Sequence, residues 1–398
     1  MWNISMGVKD KFEKCNLLPI PESNEEWDMI IQEAKEVGED LYARLEEELE
    51  DVKSELVQVL PNRFVPYLKN GLLNQPTLPE EVREDYLQWV REMEKEFEIQ
   101  LDAAYERTIE SIIDLPTTVQ EVFTEGLHDS TIQRMERDEG TLHLYLNTDG
   151  AFSSKALIHL ILKDIISEES EENITIGSWW IYNELQKTEE GFALRVLFDG
   201  PLKEWTITMK GMEASYYYYP SLLATLRDEE KLEVTSLTEY ISQLDTRHRY
   251  WFITPDVTCE IEDLTGNVTF KNGIIEFGQN EFIIDDGSQT FRYHLDEYNP
   301  IECIYTNVYE DPNAIFDEPL PTAEIETAAL GNDLELQVRA WNTMYADPEN
   351  LVDIINRVLL KAKVTEENEM MMSVFTSHFY QKGILSEANI KKFQMLIE

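Results

Sequence analysis

The sequence predicts an α+β protein, and three observations support this class. Apolar residues recur at helical spacing over the first 115 residues, alternate with polar residues from about residue 130, and return to helical spacing near the carboxyl end. Helices followed by groups of strands are typical of folds in which helices pack against antiparallel sheets. The changes of pattern predict four parts, at residues 1–115, 116–225, 226–320 and 321–398.

The first part is predicted to be an acidic helical hairpin. Ser23, with Glu26 three positions later, is the capping-box pattern, and the apolar residues of 27–56 then recur at helical spacing, so one long helix is expected. Several prolines in the following connector favour turns, and Pro79 is well placed to begin a second helix. Because residues 82–112 also carry an apolar stripe, the two helices are expected to form an antiparallel pair.

The second and third parts are predicted to be β-rich. STIQRMER and TLHLYLN alternate around the turn residues DEG, which indicates a hairpin, and later runs extend this pattern to a meander of about six strands. One face of this sheet is expected to pack against helix. A helix-like stretch near residue 225 then leads into short strands separated by turns such as TGN, KNG and DDG, which predict a second β-rich unit.

The fourth part is predicted to be helical. Asp347 and Pro348 fit the N-cap and first position of one helix, and Ser386 fits the N-cap of another. The chain shows no internal repeat of the solenoid type.

The composition is strongly acidic, since 33 Lys and Arg residues against 79 Asp and Glu residues give a net charge of -46. Nucleic acids and anionic membranes both require cationic surfaces, so direct binding to either is not expected. Three explanations fit this acidity. The source organism is salt-loving, although such proteins usually avoid lysine and this one does not; the charge serves solubility alone; or the acidic surface binds a basic protein partner. These three explanations stay open at this point.

The cysteines and the amino-terminal segment favour a cytoplasmic protein. Cys15, Cys259 and Cys303 are widely spaced and include no CxxC pair, which argues against a disulfide framework or a zinc ribbon. The first fifteen residues lack the apolar stretch of a signal peptide, and no run of 18 apolar residues occurs. The sequence also lacks phosphate-binding loops, calcium loops and nucleophile elbows, so no cofactor is expected.

Two groups of residues are candidates for binding a partner. The first is an acidic run on the first long helix, which is either a contact for a basic protein or a solvated helix face. The second belongs to a run of four tyrosines that alternate between the faces of a strand, and serves either a partner-binding edge or the core. The candidates are Glu46, Glu47, Glu50, Asp51, Tyr217 and Tyr219.

The adjacent residues His128 and Asp129 are the alternative candidates, for catalysis or metal binding. An aspartate can orient the imidazole of a general base, but neighbours on a strand point to opposite faces unless a turn intervenes. Asp129 is better placed to accept backbone N–H groups where the chain enters the strand. A hairpin at DEG would bring His143 towards His128, so these three residues define the alternative function, a carboxylate- and histidine-dependent hydrolase with or without a divalent metal.

The first two hundred residues or so combine a helical pair, the connector LPNRFVPYLKNG and the transition EGLHDSTI into the sheet. In these features the chain resembles an uncharacterised family of acidic proteins from Bacillus-type bacteria. GLHDSTIQRMERDEGTLHLYL also resembles the opening of small β-rich proteins encoded beside bacterial polymorphic toxins, some of which are immunity proteins. No functional residue transfers from either resemblance. The leading hypothesis is a non-enzymatic cytosolic binding protein, an immunity protein or inhibitor, that engages a basic, nucleic-acid-binding partner.

Overall fold

The computed structural model describes residues 2–151, 153–170, 173–263, 269–271, 273–365 and 368–397. The chain forms two compact units. The first comprises Met1–Tyr219 with Asp245–Tyr309, and the second comprises Pro220–Leu244 with Glu310–Glu398. The first unit contains helices, a closed barrel and two small sheets, whereas the second is helical, so the predicted α+β class is confirmed.

The helical part of the first unit contains two helices where the sequence predicts one, which corrects that prediction. Ser23 caps the first of them as expected, since its Oγ accepts a hydrogen bond from the Glu26 N–H (3.1 Å). Gly38 then ends this helix, because its φ of 74° lies in the left-handed region, and Asp40 caps the next helix by accepting from the Ala43 N–H (3.2 Å). The helices are α1 Met6–Cys15, α2 Asn24–Val37, α3 Leu41–Val59, α4 Val65–Lys69, α5 Glu80–Ile112 and α6 Thr117–Glu125.

The six strands that follow close into a barrel. They are β1 Ser130–Asp138, β2 Thr141–Asn147, β3 Leu157–Ser170, β4 Trp179–Lys187, β5 Phe192–Asp199 and β6 Lys203–Tyr217, in the order β1-β2-β3-β6-β5-β4. The predicted meander is therefore present as two three-stranded halves, joined where β3 pairs with β6 and where β1 pairs with β4. The β1–β4 seam is short, with Ser130 opposite Trp180 and Thr131 opposite Trp179.

Side chains fill the barrel. Leu144 of β2, Leu160 of β3, Phe198 of β5 and Trp205 of β6 are all at most 1% exposed and belong to one core. Phe123 of α6 packs on the same core. A six-stranded barrel is narrow, and its interior is therefore a packed core rather than a ligand cavity.

Helix α5, about 50 Å long, connects the helical core with the barrel. Its Tyr86 and Trp89 belong to the helical core, in which α1 lies against both α3 and α5. Its second half packs on β4, where Thr108 Oγ1 accepts a hydrogen bond from the Leu185 N–H (2.9 Å). The fully buried Glu184 carboxylate receives the Arg107 guanidinium (2.6 Å) and the Ile4 N–H (3.1 Å), so this buried charge is compensated.

Two small sheets complete the first unit. A four-stranded sheet has the order β13-β7-β8-β9, and a three-stranded sheet has the order β10-β11-β12. The predicted second set of short strands is therefore present. The strands are β7 Tyr250–Ile253, β8 Thr258–Asp263, β9 Thr269–Phe270, β10 Ile274–Phe277, β11 Glu281–Asp285, β12 Thr290–His294 and β13 Ile304–Thr306.

The second unit is helical and has its own core around Trp341, Ile355 and Phe379. Ser386 caps its predicted helix, with Oγ 3.4 Å from the Asn389 nitrogen. Asp347 does not begin a helix but caps the carboxyl end of one, because a turn at Pro348 delays the next helix. The helices are α7 Ser221–Asp228, α8 Leu237–Gln243, α9 Ala314–Asp317, α10 Thr322–Ala329, α11 Leu334–Ala346, α12 Val352–Lys361, α13 Glu369–Gln381, α14 Glu387–Lys392 and α15 Gln394–Ile397. None of the helices in the described ranges combines the length and apolarity needed to cross a membrane.

Candidate functional site

The acidic candidates lie together on one face of α3, called the acidic face below. The leucines of this helix are buried, with Leu49 2% exposed and Leu56 fully buried, and they occupy the opposite side. The helical period therefore turns the carboxylates towards solvent. The acidic face comprises Glu46, Glu47, Glu50 and Asp51, and all four are exposed.

Most of the acidic face is not paired with cations of the fold. Lys53 lies 2.6 Å from Glu50, and the other cation of α3, Arg44, pairs with Glu39 (3.6 Å) and Glu48 (3.7 Å). Within the described part of the chain, no ion pair reaches the remaining three carboxylates. Exposed pairs contribute little to stability in any case, so the charge of this face is not explained by the needs of the fold.

One aromatic residue on this side of α3 was missed by the sequence predictions. Tyr42 is 54% exposed and lies four and eight residues before Glu46 and Glu50, so the three side chains form one row along the helix. The position of Tyr42 directly after the core residue Leu41 is the signal by which it could have been found. Tyrosine is enriched at the centres of protein interfaces, whereas polar residues form their rims, so Tyr42 with its acidic neighbours is a candidate contact.

The tyrosine candidates contact aromatic residues of the first unit. The ring of Tyr217 meets that of Trp251 edge-on at 5.1 Å, and Tyr219 stacks on Tyr305 at 4.9 Å. All four tyrosines of the run are half-buried. The end of β6 lies against β7 and β13 on this side, so part of each of these two tyrosine rings is covered within the unit.

His128 and Asp129 lie in a turn rather than on a strand. Asp129 has a φ of 68°, and this left-handed conformation brings its Oδ1 to 3.7 Å from His128 Nε2. His128 Nδ1 lies 2.6 Å from the Ile181 carbonyl oxygen. The Asp129 N–H donates to the Trp180 carbonyl (3.0 Å). The expectation that the Asp129 carboxylate accepts backbone N–H groups is therefore wrong, because the turn directs it to the imidazole.

His143 does not meet His128, so the geometry expected for the hydrolase alternative is absent. The β1–β2 register places His143 opposite Glu136, six residues beyond the start of β1, which is a distance of about 20 Å along the strand. His143 instead contacts His159 of β3, with 3.0 Å between Nδ1 and Nε2. Among the described residues, no three His, Cys, Asp or Glu side chains are grouped closely enough to hold a metal ion.

His159 belongs to a layered group on the outside of the barrel, called the histidine stack below: Arg134, Tyr145, His159 and His143. The His159 ring stacks on Tyr145 at 4.0 Å, and the Arg134 guanidinium covers the other side of Tyr145 at 3.5 Å. Arg134 also donates to Thr258 Oγ1 of β8 (3.0 Å). Burial, then His143 and Arg134, lower the pKa of His159 to about 4, so this imidazole is neutral at pH 7.

A pocket of about 650 Å³ lies beside β3, β5 and β6. Its Arg195 is held by the fold, since the guanidinium contacts Thr206 Oγ1 (3.1 Å), the Ile4 carbonyl oxygen (3.3 Å) and Glu204 (3.1 Å). Burial lowers the pKa of Arg195. Lys203 donates to the Asn173 carbonyl oxygen (2.7 Å). Arg195 and Lys203 are therefore used to hold the walls of this pocket rather than to attract a ligand.

The fold and surface define a class of acidic α+β proteins in which helices adjoin a packed six-stranded barrel. The chain belongs to the family described as "Protein of unknown function (DUF4085)", whose model matches residues 6–209. This match covers α1 to α6 and the barrel as far as the middle of β6, so the predicted membership of an uncharacterised family is confirmed. Neither a curated protein nor a solved structure matches the chain.

Proposed function

We propose that the protein is a non-enzymatic binding protein of the cytoplasm that engages a basic protein partner through the acidic face of α3. The partner class that fits best is a nucleic-acid-binding protein such as a nuclease, for which this chain acts as an inhibitor or immunity protein. The observation that carries the proposal is the exposure of Glu46, Glu47, Glu50 and Asp51 side by side on one helix face.

Electrostatics support this choice of partner. Proteins that bind nucleic acid carry clustered Lys and Arg residues, which an aligned row of carboxylates complements. The net charge of -46 extends this attraction beyond the contact itself and accelerates association with a cationic protein. The same charge opposes contact with nucleic acid, so the chain competes for the basic surface of its partner without binding the nucleic acid.

The row formed by Tyr42, Glu46 and Glu50 supports a specific contact rather than diffuse attraction. Charge pairs at the rim of an interface contribute mainly to the rate of association, whereas a buried aromatic residue slows dissociation. Tyr42 is exposed enough to be covered by a partner, and a tyrosine side chain, with only two χ angles, loses little entropy on binding. We therefore expect the partner to cover Tyr42 and to place cations on both sides of it.

The proposal is tested by affinity capture from an extract of the source cells at low salt, followed by binding measurements with the captured protein. The test variant combines Glu46→Gln, Glu47→Gln, Glu50→Gln and Asp51→Asn. The matched control combines Asp296→Asn, Glu297→Gln, Glu324→Gln and Glu349→Gln, which are exposed carboxylates elsewhere, so both variants have the same net charge. The wild-type chain is expected to capture a basic protein, and the complex to weaken about tenfold or more as salt is raised.

The two variants separate a specific face from general acidity. We expect the α3 variant to bind at least tenfold more weakly than the matched control, and Tyr42→Ala to increase the dissociation rate. Equal binding by the two variants would show that net charge alone attracts the partner. Failure to capture any basic protein at low salt would contradict the proposal as a whole.

A further inference from the structure

The turn before β1 holds the His128 imidazole in one tautomer. Its Nδ1 lies 2.6 Å from the Ile181 carbonyl oxygen, and because a carbonyl only accepts, Nδ1 must carry the hydrogen. In the neutral ring, Nε2 therefore presents its lone pair. The ring plane is also fixed, since His128 stacks on Tyr182 at 5.6 Å with 17° between the planes, and Phe97 supports Tyr182 edge-on at 5.5 Å.

The carboxylate of Asp129 lies next to this lone pair. Its Oδ1 is 3.7 Å from His128 Nε2, which is too far for a hydrogen bond, and both side chains are accessible, at 46% and 26% exposure. The left-handed conformation at Asp129, with a φ of 68°, produces this proximity. On a strand, the side chains of two neighbouring residues would point to opposite faces. In this turn, His128 Nε2 and the Asp129 carboxylate instead point to the same place.

We infer that His128 Nε2 and Asp129 Oδ1 form a surface site for a zinc-like divalent transition-metal ion, with water completing the coordination. A Zn²⁺ ion about 2.0–2.2 Å from each donor requires the two donors to lie roughly 3.4 Å apart in tetrahedral geometry. A small side-chain rotation reaches this separation from 3.7 Å. The hydrogen bond from Nδ1 to a backbone carbonyl is the outer-shell contact that usually orients a metal-binding histidine.

The surroundings favour a cation at this point. The Asp129 carboxylate lies 3.7 Å from His128 Nε2, and the chain carries a net charge of -46, so a divalent cation is attracted to this point. The His143–His159 pair is less suitable, although its nitrogens are 3.0 Å apart. Those nitrogens bond to each other, and the Arg134 guanidinium close by repels a metal ion.

Two protein ligands predict modest affinity. A site with half the ligands of a structural zinc site is expected to bind Zn²⁺ with a Kd on the order of 10 µM. The open positions are filled by water or by donors from another molecule. This inference does not depend on the acidic face or on its partner.

The experiment measures Zn²⁺ binding to the chelator-treated full chain by calorimetry, with excess Mg²⁺ present to occupy the many exposed carboxylates. In parallel, the ¹⁵N shifts of the histidine rings identify the nitrogen that binds. We expect one site of micromolar Kd and a selective shift of His128 Nε2. His128→Ala and Asp129→Asn should each weaken this site at least tenfold, whereas His294→Ala, which removes an exposed histidine of β12, should leave it unchanged.

Asp129→Asn is the more stringent variant, because asparagine tolerates the left-handed conformation and keeps the turn intact. Circular dichroism of each variant checks that the fold is retained. Unchanged Zn²⁺ affinity in both variants would overturn the inference, as would a shift confined to His143 and His159. The inference also fails if Zn²⁺ binding cannot be distinguished from the general carboxylate background.

Discussion

At the scale of single residues, the histidine stack places a neutral imidazole near a permanent cation. His159 lies against one face of Tyr145 and the Arg134 guanidinium covers the other. Protonation of His159 would put positive charge on both sides of one aromatic ring. The Arg134 contact with Thr258 also joins the barrel to β8, so this charge would form at a junction within the first unit.

The lowered pKa of His159 predicts a defined loss of stability in acid. The pKa of His159 is about 4 in the folded chain, against an ordinary value of 6.5. Between pH 6.5 and 4, His159 is therefore protonated in the unfolded chain but not in the folded chain. Stability from this group is therefore complete above pH 6.5 and decreases as the pH falls to about 4. From pH 7 to pH 5 we expect a loss of about 1 kcal/mol, a value already reduced for solvent screening because the ring is only partly buried.

Urea unfolding at both pH values tests this expectation by comparison with His159→Gln. The variant should show a decrease smaller by about 1 kcal/mol. The carboxylates of the chain titrate in both proteins, so the difference isolates the imidazole. His294→Gln serves as the control, because His294 is exposed. Equal pH dependence in wild type and His159→Gln would show that His159 is not the responsible group.

At the scale of elements, the local sequence predicted helix ends correctly only where a capping side chain bonds to the backbone of its own helix. Ser23 and Ser386 cap helices as predicted, since each accepts from a backbone N–H within its own first turn. The single helix across Gly38 and the helix start at Asp347 are the two predictions of this kind that are wrong. The apolar period continues on both sides of Gly38, so the periodicity alone did not reveal that the chain leaves the helix there.

Replacement by alanine is expected to change the free energy of unfolding in opposite directions at two glycines with equally open surroundings. A Cβ at either Gly7 or Gly38 would meet nothing within 4 Å, but Gly38 has a φ of 74° whereas Gly7 lies within α1. Gly38→Ala is expected to lower the free energy of unfolding by about 1 kcal/mol, because alanine disfavours the left-handed conformation. Gly7→Ala is expected to raise it by less than about 1 kcal/mol, because Gly7 lies in the first turn of α1 and the full difference applies to a helix interior.

The midpoints of urea unfolding give both values in one experiment. Opposite signs would confirm that backbone conformation, and not packing, distinguishes the two positions. Stabilisation by Gly38→Ala would mean that α2 and α3 join into the single helix that the periodicity predicts.

At the scale of the whole molecule, the same charge acts on folding and on binding in opposite directions. A net charge of -46 repels itself more strongly in the compact state, so screening by salt favours folding. The attraction between the acidic face and a basic partner is weakened by the same screening.

Salt is therefore expected to stabilise the free protein. Raising NaCl from about 20 mM to about 200 mM should increase the Tm by a few degrees, because the Debye length falls below the spacing of most carboxylates. Differential scanning calorimetry of the free chain measures this shift. The Asp296→Asn, Glu297→Gln, Glu324→Gln, Glu349→Gln control should show a smaller shift, since it carries less charge. A Tm that falls with salt would show that specific ion pairs outweigh the repulsion.

The family matched by residues 6–209 extends across the helices and most of the barrel. The acidic face and the turn at His128 both lie within this range. The same family members can therefore be inspected for both the acidic face and the His128–Asp129 pair.

The sequence by itself determined the α+β class, the large negative charge, the six strands of the first sheet and the outward direction of Glu46, Glu47, Glu50 and Asp51. These properties follow from composition and from periods of two or 3.6 residues, which depend only on near neighbours. Only the tertiary structure decided that β1 closes on β4, that His143 meets His159, and that Tyr217 and Tyr219 contact Trp251 and Tyr305. Those contacts depend on strand register and on packing between distant segments, and no local period encodes them.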